Sequence, residues 1–286
     1  MADSRIANIA QHEYWNRVAG PRWVGLGGLV EQRVLPVNDL LLARSAVAAG
    51  ESVLEIGCGT GAATVPFAQA VGEHGRVVGV DISEPMLAGA RKRVAESGLG
   101  NVWLIEADAQ VHSFEPGRFD LITSRFGVMF FADPVAAFRN MLPAARPGGR
   151  LCFACWAPLE DNEQWLIPYE VALRHLGPPA PSDPHAPGPL ALSDPGYVRS
   201  ILETSGFAGV EIDRETPKII GSTPEEEADY ACAMGPPARL IDEKAPGEAV
   251  RETIRREMVE AFAAYVKGSQ MLLPSTVFVV TGRRPL

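Results

Sequence analysis

Val53-Leu54-Glu55-Ile56-Gly57-Cys58-Gly59-Thr60-Gly61 is a short apolar run that carries one acidic residue and then turns through three glycines. Residues 62–71 continue with a helical pattern, so the stretch reads as a strand, a tight turn and a helix N-terminus. Glycine tolerates positive φ and has no side chain, which lets a ligand approach the backbone closely. The helix behind the turn offers N–H groups and a partial positive charge, suited to a carboxylate or a phosphate. By itself the turn has two readings. Gly57, Gly59 and Ala62 also satisfy the dinucleotide fingerprint G-x-G-x-x-G/A, whereas Gly61 and the preceding Glu55 point to a different ligand.

Working outward, strands and helices alternate on both sides. Residues 36–49 form a helix that Gly50 ends. Residues 76–80 form a second strand with Asp81 at its carboxyl end, followed by a helix over 84–96 that Ser83 and Pro85 start. If the two strands are parallel neighbours, Asp81 lies beside the glycine turn, where its carboxylate suits a ribose diol by accepting from both hydroxyls. A third strand, 101–106, precedes Asp108-Ala109, and a fourth, 119–123, precedes Ser124-Arg125-Phe126-Gly127-Val128-Met129-Phe130-Phe131. A helix over 134–145 then leads through Arg146-Pro147-Gly148-Gly149 into a fifth strand, 150–156. Such alternation predicts an α/β fold with a mostly parallel sheet whose ligand crevice lies at the carboxyl ends of its strands.

Four features in this order, the glycine turn with Glu55, then Asp81, Asp108 and Pro147-Gly148-Gly149, resemble the class I S-adenosylmethionine (SAM)-dependent methyltransferases. The likeness covers residues 51–156 and is nearest to the small-molecule branch that includes the ubiquinone and menaquinone biosynthesis methyltransferases. The stretch after the fourth strand lacks the Asn/Asp-Pro-Pro-aromatic signature of the family's exocyclic-amine and glutamine methylators. It also lacks the acidic cluster of the metal-dependent catechol type, so no metal is expected.

The resemblance implies a doubly wound, seven-stranded, Rossmann-like sheet whose last strand is antiparallel. It implies that Gly57, Cys58, Gly59, Thr60 and Gly61 cradle the aminocarboxypropyl group of SAM, with Glu55 ordering that loop or the amine. Asp108 would receive the adenine amino group, with the Ala109 backbone beside the ring and Ile82 and Met86 flanking the purine. Ser124 would line the cleft near the methionine portion. Phe126, Met129 and Trp156 are expected in the substrate pocket, and Trp15 on a flap over it. Two other functions stay open on the residues alone: an NAD(P)-dependent oxidoreductase, and a SAM-binding protein without catalysis.

The remaining chain is divided into an N-terminal cover over 1–35, a SAM-binding core over 36–214, a helical insertion over 215–270 and a last core strand over 271–286. The insertion is expected to cap the active site. The proline-dense stretch 177–196 reads as a stiff surface loop. His12, His112 and His175 are available near cleft walls, and His74 and His185 lie in loops, but no motif marks a general base, so no catalytic residue is assigned. Cys152 and Cys155 fall on opposite sides of one strand, which reads as two buried thiols rather than a zinc pair. A formal net charge of −9 weighs against a nucleic-acid substrate. The polar first residues, the absence of an apolar run near the ~20 residues of a bilayer span, and four scattered cysteines predict a cytoplasmic protein acting on a small molecule, with a homodimer left open.

Overall fold

The computed structural model describes residues 6–268 and 270–286, so residues 1–5 of the expected cover lie outside the described residues. The strands are β1 Ser52–Ile56, β2 Arg76–Asp81, β3 Val102–Glu106, β4 Phe119–Arg125, β5 Ala145–Trp156, β6 Ala208–Glu215, β7 Lys218–Gly221, β8 Val266–Lys267, β9 Gln270–Pro274 and β10 Val277–Arg283. The α-helices are α1 Ile9–Arg17, α2 Ala19–Leu26, α3 Gly28–Arg33, α4 Leu35–Ser45, α5 Thr64–Val71, α6 Glu84–Ser97, α7 Pro134–Met141, α8 Glu163–Leu176, α9 Pro195–Thr204, α10 Pro224–Ala233, α11 Gly235–Lys244 and α12 Glu248–Ala263.

The main sheet has seven strands in the order β3-β2-β1-β4-β5-β10-β6. β1 pairs in parallel with β2 and β4, because its apolar residues are covered on both faces and Val53, Leu54 and Ile56 are buried. Strand order reverses between β1 and β4, and this switch point opens the crevice at their carboxyl ends. The last strand is antiparallel, as expected. The chain leaves the sheet after β6 and returns to seat β10 between β5 and β6. Cys152 and Cys155 are buried on opposite faces of β5, and burial pushes the Cys152 thiol up to about 12 and raises that of Cys155.

Local signals set the helix starts. The Ser83 hydroxyl accepts from the Met86 N–H to cap α6, and Asp133 caps α7 through the Ala136 N–H. Thr223 and Glu226 form a reciprocal capping box on α10.

The insertion differs from its helical expectation. α10, α11 and α12 are present, but β7, β9 and β8, which flank them in sequence, form a second, three-stranded antiparallel sheet. These strands are short, and β7 meets β9 only after about fifty intervening residues, so no local pattern announces the pairing. Residues 271–274 therefore belong to the small sheet rather than to the last core strand.

Candidate functional site

The glycine turn hangs from β2. Gly57 and Cys58 donate to the Val80 carbonyl at 2.8 and 3.1 Å, and Gly59 donates to Asp81 Oδ2 at 2.8 Å. Gly57, Gly59 and Gly61 have φ of 66°, 55° and 78°, in the left-handed region that side chains disfavour. Close approach adds a second reason at Gly57, where a Cβ would stand 2.6 Å from Gly127 Cα. The β1 and β4 loops thus touch backbone to backbone.

Asp81 accepts from Gly59 and also, through Oδ1, from the Ser83 N–H at 2.9 Å. A carboxylate has about four lone-pair sites, so acceptor capacity remains toward the cavity that Asp81 lines. Burial pushes its pKa up to about 6, opposed by the Ser83, Gly59 and Ile82 N–H groups.

Asp108 has a different environment from the one expected. Its Oδ2 accepts the N–H groups of Ala7 and Asn8, both at 2.8 Å. Its Oδ1 accepts Asn8 Nδ2 at 2.7 Å and the Gln110 N–H at 3.0 Å. All four acceptor positions are spent on protein, so an adenine amino group reaches this carboxylate only by displacing one of these donors. The same Asn8 takes the Ala132 N–H on its Oδ1.

One cavity of about 1290 Å³ joins these elements. It reaches from Gly57, Gly59, Thr60, Asp81, Ile82, Met86, Asp108 and Ala109 to Trp15, Phe126, Met129 and Trp156. Glu55, Cys58, Gly61 and Ser124 stand behind its wall. Ser124 is a correction to the expected cleft residue: its buried hydroxyl donates to the Ile56 carbonyl at 2.7 Å and accepts the Gly127 N–H at 3.1 Å, pinning β4 to β1. Gly61 packs against Ala90 of α6, and Cys58 is buried among protein atoms beside Gly79. The Thr64 hydroxyl donates to buried Glu55 at 2.6 Å, and burial raises the Glu55 carboxyl from its ordinary 4.5 to about 7.

Opposite the glycine turn the wall is aromatic. Phe126 stacks on Trp156 at 4.2 Å with an interplanar angle of 6°, and Trp165 tilts onto Trp156 at 4.7 Å. Phe126 has φ of 65°, a strained value for a bulky residue, and its ring faces Trp156 because the chain turns there. Trp15 of α1 meets Phe130 edge-on at 5.1 Å. The Trp15 carbonyl accepts the Ser83 hydroxyl and Asn16 accepts the Glu84 N–H, which docks the cover on the start of α6.

The proline-dense stretch is a wall of this cavity as well as a surface loop. Pro184, Pro187, Pro189 and Leu190 line it, and the loop is pinned where Gly188 donates to the Met129 carbonyl and Ala180 donates to Glu243. Tyr230, Met234 and Leu240 line it from α10 and α11. None of these had a motif, although a long loop without regular structure inside a compact domain is itself a functional signal. Arg125 lines the cavity too and was not singled out from the sequence. His12, His112 and His175 are not among the lining residues.

Residues 53–149 match a family described as "Methyltransferase domain". The ubiquinone/menaquinone biosynthesis C-methyltransferase UbiE of Escherichia coli O1:K1 is 41% identical over 190 residues, covering 62% of this chain and 74% of that protein. The chain belongs to the class I SAM-dependent methyltransferases. The nocamycin O-methyltransferase of Saccharothrix syringae is 29% identical over 242 residues, 82% of the methyltransferase and 85% of that relative. Among solved structures, Haemonchus contortus phosphoethanolamine N-methyltransferase 2 in complex with SAM has a TM-score of 0.61 at 18% identity, covering 99% of this chain and 61% of that one, which concerns the fold alone. The methyltransferase uses SAM and transfers its methyl group to an oxygen, nitrogen or carbon of a small organic molecule. No described helix is long and apolar enough to cross a membrane.

The cavity suits that cofactor. A Cβ at Gly59 would stand 3.2 Å from Met86 Cε, so the backbone there is bared toward the lining. Asp81 brings a diol-accepting carboxylate to the same wall.

Proposed function

We propose that the adenosine of SAM lies along Asp81, Ile82, Met86 and Ala109, that its tail lies on Gly57, Gly59 and Thr60, and that the acceptor lies against Phe126, Met129, Trp156 and Trp165. One observation carries this reading: a single cavity of about 1290 Å³ runs from the glycine turn to the aromatic wall. Ordinary ligand sites measure about 300–1,000 Å³, so this one has room for a nucleoside and a second molecule. The acceptor is a small, largely apolar, partly aromatic compound. The lining supports that class, and the names of the relatives, an O-methyltransferase and a C-methyltransferase, leave the methylated atom open. Glu55, Cys58, Gly61 and Ser124 shape the turn from behind. Asp108 acts as the clamp of the N-terminal cover. The cover and the α10–α11 cap close the cavity over the core. A small-molecule rather than nucleic-acid acceptor agrees with the net charge of −9, and four free thiols agree with a reducing cytoplasm.

SAM supplies an electrophilic methyl group on a sulfonium. The protein aligns an acceptor with it and keeps water out, and such near-attack positioning contributes about 7–11 kcal/mol. The proline-dense loop is stiff, so the acceptor wall is preformed at little ordering cost. No histidine is available at the lining to act as base; a neutral amine needs none, and a phenol or carbon acid would draw on a lining carboxylate or water.

Calorimetric titration tests the reading. Wild type binds S-adenosylhomocysteine (SAH) and not NAD(P)H, and Asp81→Ala weakens SAH by about 10- to 100-fold while the protein keeps its circular dichroism. Equal SAH affinity in wild type and Asp81→Ala contradicts the ribose assignment.

A further inference from the structure

Among the described residues, Arg125 is the one cation lining the glycine-turn side of the cavity. The other lining cation, Arg239, belongs to exposed α11 surface beside Gly188. Arg125 ends β4, and β4 pairs with β1 at the strand that feeds the turn. β4 ends at Arg125, and the left-handed turn at Phe126 sends the two neighbouring side chains to different walls. Phe126 goes to the aromatic wall and stacks on Trp156. Arg125 goes the other way, to α4, where its Nη1 donates to Asn38 Oδ1 at 2.8 Å. Asn38 Nδ2 in turn donates to the Ala62 carbonyl at 3.2 Å, at the far end of the glycine turn. A buried amide therefore ties the guanidinium to the backbone loop on which the SAM tail is placed.

The cation has no carboxylate partner among the described residues, and Asn38 Oδ1 is its one hydrogen-bond acceptor there. A guanidinium has five N–H donors in a planar fork that matches a carboxylate. The nearby acids are committed elsewhere: Glu31 holds the Thr60 hydroxyl and Arg93, and Glu55 holds the Thr64 hydroxyl. Burial lowers the Arg125 pKa, opposed by the charges of Glu55 and Glu31 acting through space. A shielded cation with open donors at the wall of a ligand cavity is incomplete without an anion. The SAM tail carries a carboxylate, and the acceptor side lies across the Phe126 turn.

We propose that Arg125, held by Asn38, receives the carboxylate of the methionine tail of SAM and of the homocysteine tail of SAH. This rests on the placement of SAM given under the proposed function. It makes Arg125 a binding residue whose partner is one defined functional group of the cofactor.

The test compares two ligands that differ in that group. SAH has the aminocarboxylate tail; 5′-methylthioadenosine keeps the nucleoside and thioether and lacks it. In calorimetric titrations, Arg125→Gln raises the Kd of SAH by about 10- to 100-fold and leaves that of methylthioadenosine within about twofold of wild type. Arg125→Lys keeps the charge and loses the fork, so it weakens SAH by a smaller factor with methylthioadenosine again unchanged; it also serves if the glutamine variant does not fold. Unchanged SAH affinity in these variants overturns the inference, as does an equal loss for both ligands, which marks a structural role. If wild type binds neither ligand, the placement of SAM fails first, so the two failures are distinguishable.

Discussion

Glu55 shapes the glycine turn from behind the cavity wall. It is 2% exposed, and its carboxyl is raised from 4.5 to about 7. A carboxyl with a raised native pKa binds more protons folded than unfolded between those two values. Its contribution is therefore most favourable below about pH 4.5, is lost as the pH climbs to about 7, and stays unfavourable above that. Glu55→Gln keeps an acceptor for Thr64 and removes the titration. Relative to wild type, the ligand-free variant gains nothing below about pH 4.5 and gains up to about 3 kcal/mol above pH 7, read from urea unfolding across that range. A pH-independent difference would mean that Glu55 titrates in the folded protein as it does in the unfolded chain. Ser124 is the companion case, a buried hydroxyl that sets the distance between two loops and has its one donor spent on the Ile56 carbonyl.

Elements close the cavity in pairs. α1 is fastened to the core by Asp108, Asn8 and Ala132, and α3 is fastened to the cap by a buried pair between Arg33 and Glu227. Arg33 also donates to Gln164 of α8 at 3.0 Å and lies 4.0 Å over the Tyr230 ring. Cover, α8 and α10 therefore share one buried node, and Tyr230 presents itself to the cavity from that node. Because the cover meets the core at Asp108, Asp108→Ala frees Ala7 and Asn8 while the sheet stays folded. Hydrogen exchange should rise over residues 7–17 and stay at wild-type levels over β1, β2 and β4, with a weaker SAH complex. If exchange over 7–17 is unchanged, Asp108 does not clamp the cover, and the adenine role implied by the family resemblance returns as the better reading.

Across the whole molecule, what the sequence disclosed was local chemistry with a short reach. The glycine turn and the Ser83 cap each lie within a few residues of what they organise, Asp81 follows from the parallel pairing of β1 and β2, and the doubly wound seven-stranded sheet is what the family resemblance implies. The family resemblance implies a ligand role for Asp108, and nothing local announces its contact with Asn8, a hundred positions away. Arg125 ends β4, and its anchor, Asn38, lies 87 positions away on α4. The small sheet and the proline-dense wall depend on pairings between distant segments, which composition does not encode. Architecture and cofactor class were legible, and the contacts that fasten the cover and the proline-dense wall were not.

A crystal structure of the methyltransferase with SAH bound tests the shared-cavity placement most directly. The ribose should meet Asp81, the carboxylate should meet Arg125, and the thioether sulfur should face the Phe126–Trp156 wall with open space beyond it. A nucleoside lying outside the glycine turn, or a sulfur facing away from that wall, contradicts it.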